Sequence, residues 1–410
     1  MKNVKKIAIM GHGVVGSGVA EIFLGNHQNI ENKTGISSDI KYILDLRDFP
    51  GLSYSDKFIK DFNLIANDDE ISVVVETMGG LNPAYTFVKT CLEKGKSVVT
   101  SNKELVAEKG AELLSIARSK NVKFLFEASV GGGIPIIRPL SQCLAANNIL
   151  EINGILNGTT NYILTCMIRD GVSFEDALAQ AQKLGYAEKD PSADVLGLDA
   201  CRKICILASI AFSKHVYPKY AHAEGITKIT LKDVEYAKAW GGAIKLVASA
   251  KLLENGKVAL ETSPAFVSSE NPLSSVNDVF NAAFIKGDAV GDVMLYGRGA
   301  GKEPTASAVL SDVIEALNST DSGLALNWSD CDYDITEPYE NLKNRMYLRV
   351  SGSDLCVLDK VFSEREEVGA VCGECAFITP AISYSELAAK TAQLSDLGIS
   401  VDAAIRVLDI

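Results

Sequence analysis

The sequence predicts an α/β protein with a doubly wound parallel sheet in its first third, an α+β unit in the middle and a small βαββαβ unit at its end. Three observations carry this. Short apolar runs alternate with amphipathic helical segments up to about residue 129; longer helices and then strand-rich stretches follow Pro135; short alternating segments return at 345–410. A chain of 410 residues exceeds one ordinary core, so several domains are expected. Their bounds are placed at 1–135 with a returning helix near 300–320, at 136–300, at a linker 321–344 and at 345–410.

Composition narrows the class of ligand. With 47% apolar and 22% charged residues the chain is globular rather than disordered. Its 40 basic and 52 acidic residues, net −12, leave no electrostatic footprint for nucleic acid or an anionic membrane, so a small ligand is expected. Nine scattered cysteines form no paired framework, which points to a reducing cytoplasm. Lys2, Lys5 and Lys6 precede only "IAIM" before Gly11, His12 and Gly13 interrupt it, too little for a signal peptide. The longest apolar stretch, "ICILASIAF", falls short of the roughly 18 residues a bilayer span needs, so no membrane crossing is expected.

The first strand runs into a glycine turn and then a helix in "KKIAIMGHGVVGSGVAEIFL", with Val15, Val19, Ile22 and Phe23 on one helix face. That context suits a dinucleotide. Gly11 permits the tight turn, Gly13 lets the backbone approach a pyrophosphate, Gly16 allows close helix–strand packing, and the helix N-terminus offers unpaired N–H groups. The second strand, "KYILDL", ends at Asp45 and Arg47. An acid there reads a ribose 2′-OH and an arginine reads a 2′-phosphate; a plain surface ion pair is the third reading, so NAD and NADP both stay open. Further strands are "ISVVVETMG", "KSVVTSNK" and "KFLFEAS", with a helix over "PAYTFVKTCLEKG" that stops at Gly95. In such a Rossmann-type sheet the ligand crevice lies beyond the strand C-termini, where "ETMGG", "TSNK" and "EASVGGG" all fall. Lys103 is therefore either an active-site lysine or a surface lysine at a helix start. The run "SVGGGIP" with Glu127 either offers oxygens to a hard cation or forms a hinge.

In the middle, "LEINGILNGTTNYILTCMIRDG" reads as a strand entering a helix near Asn157, and "SFEDALAQAQKLG" as a helix with Ser173 and Asp176 spaced for a capping box. The loop "YAEKDPSADVLG" then carries Glu188, Asp190 and Asp194 up to the helix "LDACRKICILASIAF". Asp199 and Lys203 share a face of that helix, which when exposed contributes only about 0.3–0.5 kcal/mol. The apolar Ile204, Ile206 and Leu207 imply burial instead, and a partly desolvated lysine suits proton transfer. Strand-like runs "GKVALETSPAFV", "NAAFIKGD" and "DVMLYGRG" complete the unit, and "GRGAGKEPTASAVLSDVIEAL" lacks P-loop spacing, so it reads as the chain returning to the nucleotide domain.

Taken together, "GHGVVGSGV", "ETMGG", "VVTSNKELVA", "EASVGGGIPII", "NGTTNYIL", "KLGYAEKDPSADVLGLDACRK" and "YGRGAGKEPTASAV" make residues 4–318 resemble the homoserine dehydrogenase family. The resemblance implies NAD(P)-dependent interconversion of L-homoserine and L-aspartate 4-semialdehyde, on the route to threonine and methionine. It implies catalytic Lys203 and Lys103, and substrate contacts at Glu188, Asp199, Gly185 and Tyr186, the two carboxylates holding the amine. Cofactor contacts are implied at Gly11, Gly13, Val14, Val15, Gly16, Arg47, Thr77, Gly79, Lys103 and Gly301. Glu127 with the carbonyls of Val130, Gly132 and Ile134 matches the family's structural sodium site, and a homodimer or homotetramer is implied.

The last unit begins with "RMYLRVS", a helix from about Leu355 to Ser363, "EVGAVCG" and "CAFITPAI", then a helix at "SYSELAAKTAQLSDLG" and a final "AAIRVLDI". This resembles an ACT regulatory domain, but "GSDLCVLDKVF" lacks the proline-glycine before Val357, so either threonine sensing or assembly is its expected role. Cys372 and Cys375 form a C-x-x-C with no second pair or histidine cluster, and a hairpin turn is the simpler reading. Two other functions are weighed: a catalytically silent nucleotide-binding regulator, and an enzyme acting on another small semialdehyde.

Overall fold

The computed structural model describes residues 4–318, 326, 328–331 and 334–409, so the expected linker lies partly outside the described residues. The first sheet has six parallel strands in the order Phe58–Ile59, Ser38–Leu44, Lys5–Met10, Ile71–Glu76, Ser97–Thr100, Phe124–Leu125. Its strands are apolar on both faces, because helices cover both. Ile7, Ile9, Val73 and Val75 pack on Val19 and Phe23 of helix Val14–Gly25 and on Val309 and Val313 of helix Lys302–Asn318. Ala8, Met10 and Val74 face the opposite way, toward helices Ala84–Glu93 and Lys103–Ser119. Helix Lys302–Asn318 returns to this sheet from much later in the chain. Its fit depends on Gly18, where a Cβ would lie 2.9 Å from the Lys302 Cγ and 3.1 Å from the Ala306 Cβ.

The second sheet has ten strands and crosses the boundary expected at residue 345. Strands Gly291–Arg298, Phe280–Gly287, Ile149–Ile155, Gly242–Leu252 and Val258–Ser268 are antiparallel neighbours, and Val258–Ser268 pairs in parallel with Ser400–Val407 at Ala265 with Arg406 and Phe266 with Val407. From there the sheet continues through Met346–Ser351, Glu374–Ile378 and Glu366–Val371. The tail follows βαββαβ order, although its first helical segment is only a 3₁₀ turn, Leu355–Val357, and a short helix, Leu358–Val361.

Buried polar pairs seal this join. Arg349 Nε donates to Asp233 at 2.9 Å and its Nη1 to Glu374 at 3.2 Å, while Arg406 Nη2 donates to the Val247 carbonyl at 2.6 Å. The rings of Phe266 and Tyr347 stack at 4.1 Å across it. Cys372 and Gly373 form the turn between two tail strands, with Gly373 at φ +77°. Helices Gly158–Asp170, Phe174–Lys183 and Leu198–Phe212 run between the two sheets' contributions to the core.

Candidate active site

The glycine turn is built as its spacing requires. Gly11 has φ +96° and donates its N–H to the Leu44 carbonyl at 2.8 Å. A Cβ at Gly16 would lie 2.0 Å from the Gly11 carbonyl oxygen and 2.7 Å from Thr77 Oγ1, so the helix approaches only without a side chain. At Gly13 a Cβ would meet no protein atom within 4 Å, so packing within the protein does not require a glycine there. Thr77 Oγ1, on the turn after strand Ile71–Glu76, donates to the Gly11 carbonyl at 3.0 Å and so ties that turn to the glycine loop, from which Val14 and Val15 open the helix.

Asp45 and Arg47 are closed on one another. Asp45 accepts from His12 N at 2.8 Å and from Arg47 Nε at 3.0 Å, while Arg47 Nη2 donates to the His12 carbonyl at 3.0 Å. The Arg47 hydrogen bond holds the Asp45 carboxyl well below its usual range. His12 itself is buried against Phe49, Tyr54 and Phe58, with Nε2 and Tyr54 Oη 3.2 Å apart, and burial lowers its pKa.

A buried carboxylate links this loop to Lys103. Glu76 accepts from Met78 N at 2.7 Å, Gly79 N at 3.2 Å and Thr100 Oγ1 at 2.5 Å, and burial pushes its pKa up. Asn102 donates to the Gly80 carbonyl at 2.7 Å and caps the next helix by accepting from Leu105 N at 3.1 Å. Lys103 is thereby held at the first residue of helix Lys103–Ser119, beside the Thr77–Gly80 turn.

Asp199 is the hub. It is 2% exposed in the first turn of helix Leu198–Phe212. Lys203 Nζ donates to one of its oxygens at 2.7 Å and to the Leu156 carbonyl at 2.7 Å; Lys103 Nζ donates to the other oxygen. Asn157 Nδ2 adds a bond to Asp199 at 2.9 Å and one to Asp194 at 2.7 Å. Burial alone would raise the Asp199 pKa, but the charges of Lys203 and Lys103 outweigh it and hold the carboxyl well below its usual range. The two lysines differ. Burial pulls Lys203 below its ordinary 10.5 despite Asp199, whereas at the half-exposed Lys103 the pull of Asp199 overcomes burial and the pKa rises. Burial and the charge of Asp199 push Asp194 up.

The remaining expected contacts lie on other segments. Gly185 follows helix Phe174–Lys183 at φ +77°, and the Tyr186 carbonyl accepts from Thr159 Oγ1 at 2.7 Å. Glu188 is exposed, and what holds its segment is its main-chain carbonyl, which accepts from Gln182 Nε2 at 3.1 Å; its carboxylate is not brought to Lys203. Gly301, at φ +121°, precedes helix Lys302–Asn318. Glu127 is buried with its carboxylate spent on three amides, Ile136 N at 2.7 Å and Ile137 N and Arg138 N at 2.8 Å. The buried carbonyls of Val130, Gly132 and Ile134 accept no hydrogen bond among the described residues. Asp194 and Asn157 had no assigned role in the sequence reading. The helix start near Asn157 was visible there, but the reach of the asparagine to two carboxylates was not.

A parallel sheet in this strand order, a glycine turn shaped for a pyrophosphate and two lysines on one buried carboxylate at the strand ends define a nicotinamide-nucleotide oxidoreductase. Comparison with known proteins makes the class specific. Residues 11–127 match the family model "Homoserine dehydrogenase, NAD binding domain", and residues 135–314 match "Homoserine dehydrogenase". Homoserine dehydrogenases of Synechocystis and Helicobacter pylori are 41% and 42% identical, covering 85% and 86% of this chain and 83% of each relative. A crystal structure of a homoserine dehydrogenase from Thiobacillus denitrificans superposes with a TM-score of 0.91 at 33% identity, over 98% of both chains. The chain belongs to the homoserine dehydrogenase family, and its reaction is the NAD(P)-dependent interconversion of L-homoserine and L-aspartate 4-semialdehyde.

Proposed function

We propose that the reaction is carried by the cluster of Lys103, Lys203 and Asp199, with the substrate amine held by Asp194 and Asp199 and, from the exposed side, by Glu188. The sharing of one buried carboxylate by both lysines is the observation that carries this reading. Bound NAD or NADP would supply the hydride acceptor for oxidation, and its reduced form the donor for reduction. Lys203, the lysine whose pKa is lowered, takes the hydroxyl proton in oxidation and returns it in reduction. Lys103 stays charged and stabilises the developing alkoxide, a contribution of several kcal/mol in a water-poor site. Asp199 keeps both side chains aimed at one point.

The cofactor is held by Gly11, Gly13, Val14, Val15, Gly16, Arg47, Thr77, Gly79, Lys103 and Gly301, with the 2′-phosphate of NADP falling to Arg47. An archaeal homoserine dehydrogenase mutant whose structure is described as a complex with NADPH matches 77% of this chain at TM-score 0.64 and 30% identity, and supports NADP as a substrate here. A sodium ion fits the three donor-free carbonyls of Val130, Gly132 and Ile134; the Glu127 carboxylate, already bonded to amides, would act by shaping that loop.

The tail is read as an ACT-like module. Its βαββαβ order supports that, while its loop after Ser351 forms a 3₁₀ turn capped by Asp354 in place of the missing proline-glycine, which favours assembly over threonine sensing. A second chain fits the open edge strand Gly291–Arg298, where Tyr296 is 52% exposed, giving a homodimer or homotetramer. Cys91, Cys166, Cys201, Cys205 and Cys375 are buried free thiols, which suits the cytoplasm. Nicotinamide absorbance on adding homoserine, measured separately with NAD and NADP and with and without threonine, tests these readings. Reduction of NADP with no threonine inhibition is expected; strict dependence on NAD, or threonine inhibition, would refute the corresponding part.

A further inference from the structure

Asp194 and Asp199 lie on one turn of chain and are drawn together over a single neutral side chain. Asn157 is 5% exposed and uses every polar valence it has. Its Oδ1 accepts from Thr160 N at 2.8 Å and Thr160 Oγ1 at 2.9 Å, capping helix Gly158–Asp170. Its Nδ2 gives one proton to Asp194 Oδ1 at 2.7 Å and the other to Asp199 Oδ2 at 2.9 Å. The amide has only one workable orientation, because turning it over sets its oxygen against two carboxylates and its NH₂ against the Thr160 N–H. Among the described residues this is the only hydrogen bond to the Asp194 side chain, whose second oxygen is left open. The preceding residue, Leu156, gives its carbonyl to Lys203, so one short segment fixes both the acids and the base.

We propose that Asn157 is the positioning residue for recognition of the substrate amine: by bonding both acids at once it fixes the open oxygen of Asp194 beside the lysine-bound Asp199 carboxylate, as a seat for an ammonium group. This rests on the reading above that Asp194 and Asp199 face the amine. Burial and the charge of Asp199 push the Asp194 pKa up, and the Asn157 hydrogen bond works against that rise.

Asn157→Asp separates this role from a structural one, since aspartate keeps an oxygen for the Thr160 N–H but replaces the donor by a third acid. Three quantities are measured in full-length enzyme: KM for homoserine, the inhibition constant of 4-hydroxybutanoate, which has the same terminal alcohol and no amine, and the dissociation constant of NADPH by fluorescence. For N157D the expected result is a KM raised about ten- to a hundredfold, with the other two changed less than about twofold. The acid limb of kcat/KM moves to higher pH as the third carboxylate favours protonation. Asp194→Asn is the companion and is expected to raise the same KM alone. If D194N raises KM and N157D does not, the proposal is overturned and the amine reading stands. If neither does, both are overturned. A fall in NADPH binding or melting temperature that matches the kinetic loss in N157D makes the residue merely structural and also overturns it.

Discussion

Lys203 shows how far spacing can be trusted at one residue. An acid and a lysine four apart on a helix are most often an exposed pair; here both are buried and the lysine loses proton affinity. A lysine whose folded pKa lies below its unfolded value releases its proton within the window between them. Alcohol oxidation needs the neutral amine, so kcat/KM for homoserine oxidation should climb with pH and level off below 10.5, the ordinary lysine value. The same depression makes the unfolded chain bind more protons, so this group's contribution to stability rises with pH across that window. A kcat/KM flat from neutrality to the alkaline limit would remove Lys203 as the proton-exchanging group. Asp199, Lys203 and Lys103 could be singled out in the sequence because charged residues at the start of an apolar helix, or at a strand end, are conspicuous. Asn157 and Asp194 could not, because a bond between residues 37 apart leaves no local pattern.

At the scale of elements the glycine turn separates two reasons for having no side chain. Gly16→Ala puts a methyl 2.0 Å from a backbone oxygen, so the loop must move and melting temperature and cofactor binding should fall together. Gly13→Ala adds a methyl into open space at φ −80°, so the fold should keep its melting temperature while NADPH affinity drops about tenfold or more. Equal affinity in the two proteins would mean that the cofactor does not approach Gly13. The turn and the alternating strands were legible in the sequence because β-type runs and helix periods are local. Legible too was the helix Lys302–Asn318, but only as a glycine loop entering a helix; its seat against Gly18 depends on a small residue near the other end of the chain.

For the whole molecule, the single sheet spanning both later units is what the sequence could not show. Strand pairing across 140 or more residues depends on register between edges, and neither Phe266 nor Val407 carries a sign of its partner. Asp233, fully buried, receives Arg349 Nε from the tail, so Asp233→Ala leaves that buried donor unpaired, with Glu374 still holding Nη1, and should cost about 3 kcal/mol. The substrate unit and tail should then unfold together at a lower denaturant midpoint, in one transition. Two separate transitions, with only the tail's shifted, would show that the shared sheet does not bind the units into one cooperative body.

All three scales meet at the carboxylate that two lysines share. Turnover of homoserine by Lys203→Ala, set beside its NADPH dissociation constant, tests that junction most directly. The arrangement predicts a loss of about 10²–10⁴ in kcat with cofactor affinity unchanged, because the proposed role of Lys203 is proton exchange with the substrate oxygen, away from the nucleotide loop. A variant that turns over at close to the native rate would contradict it.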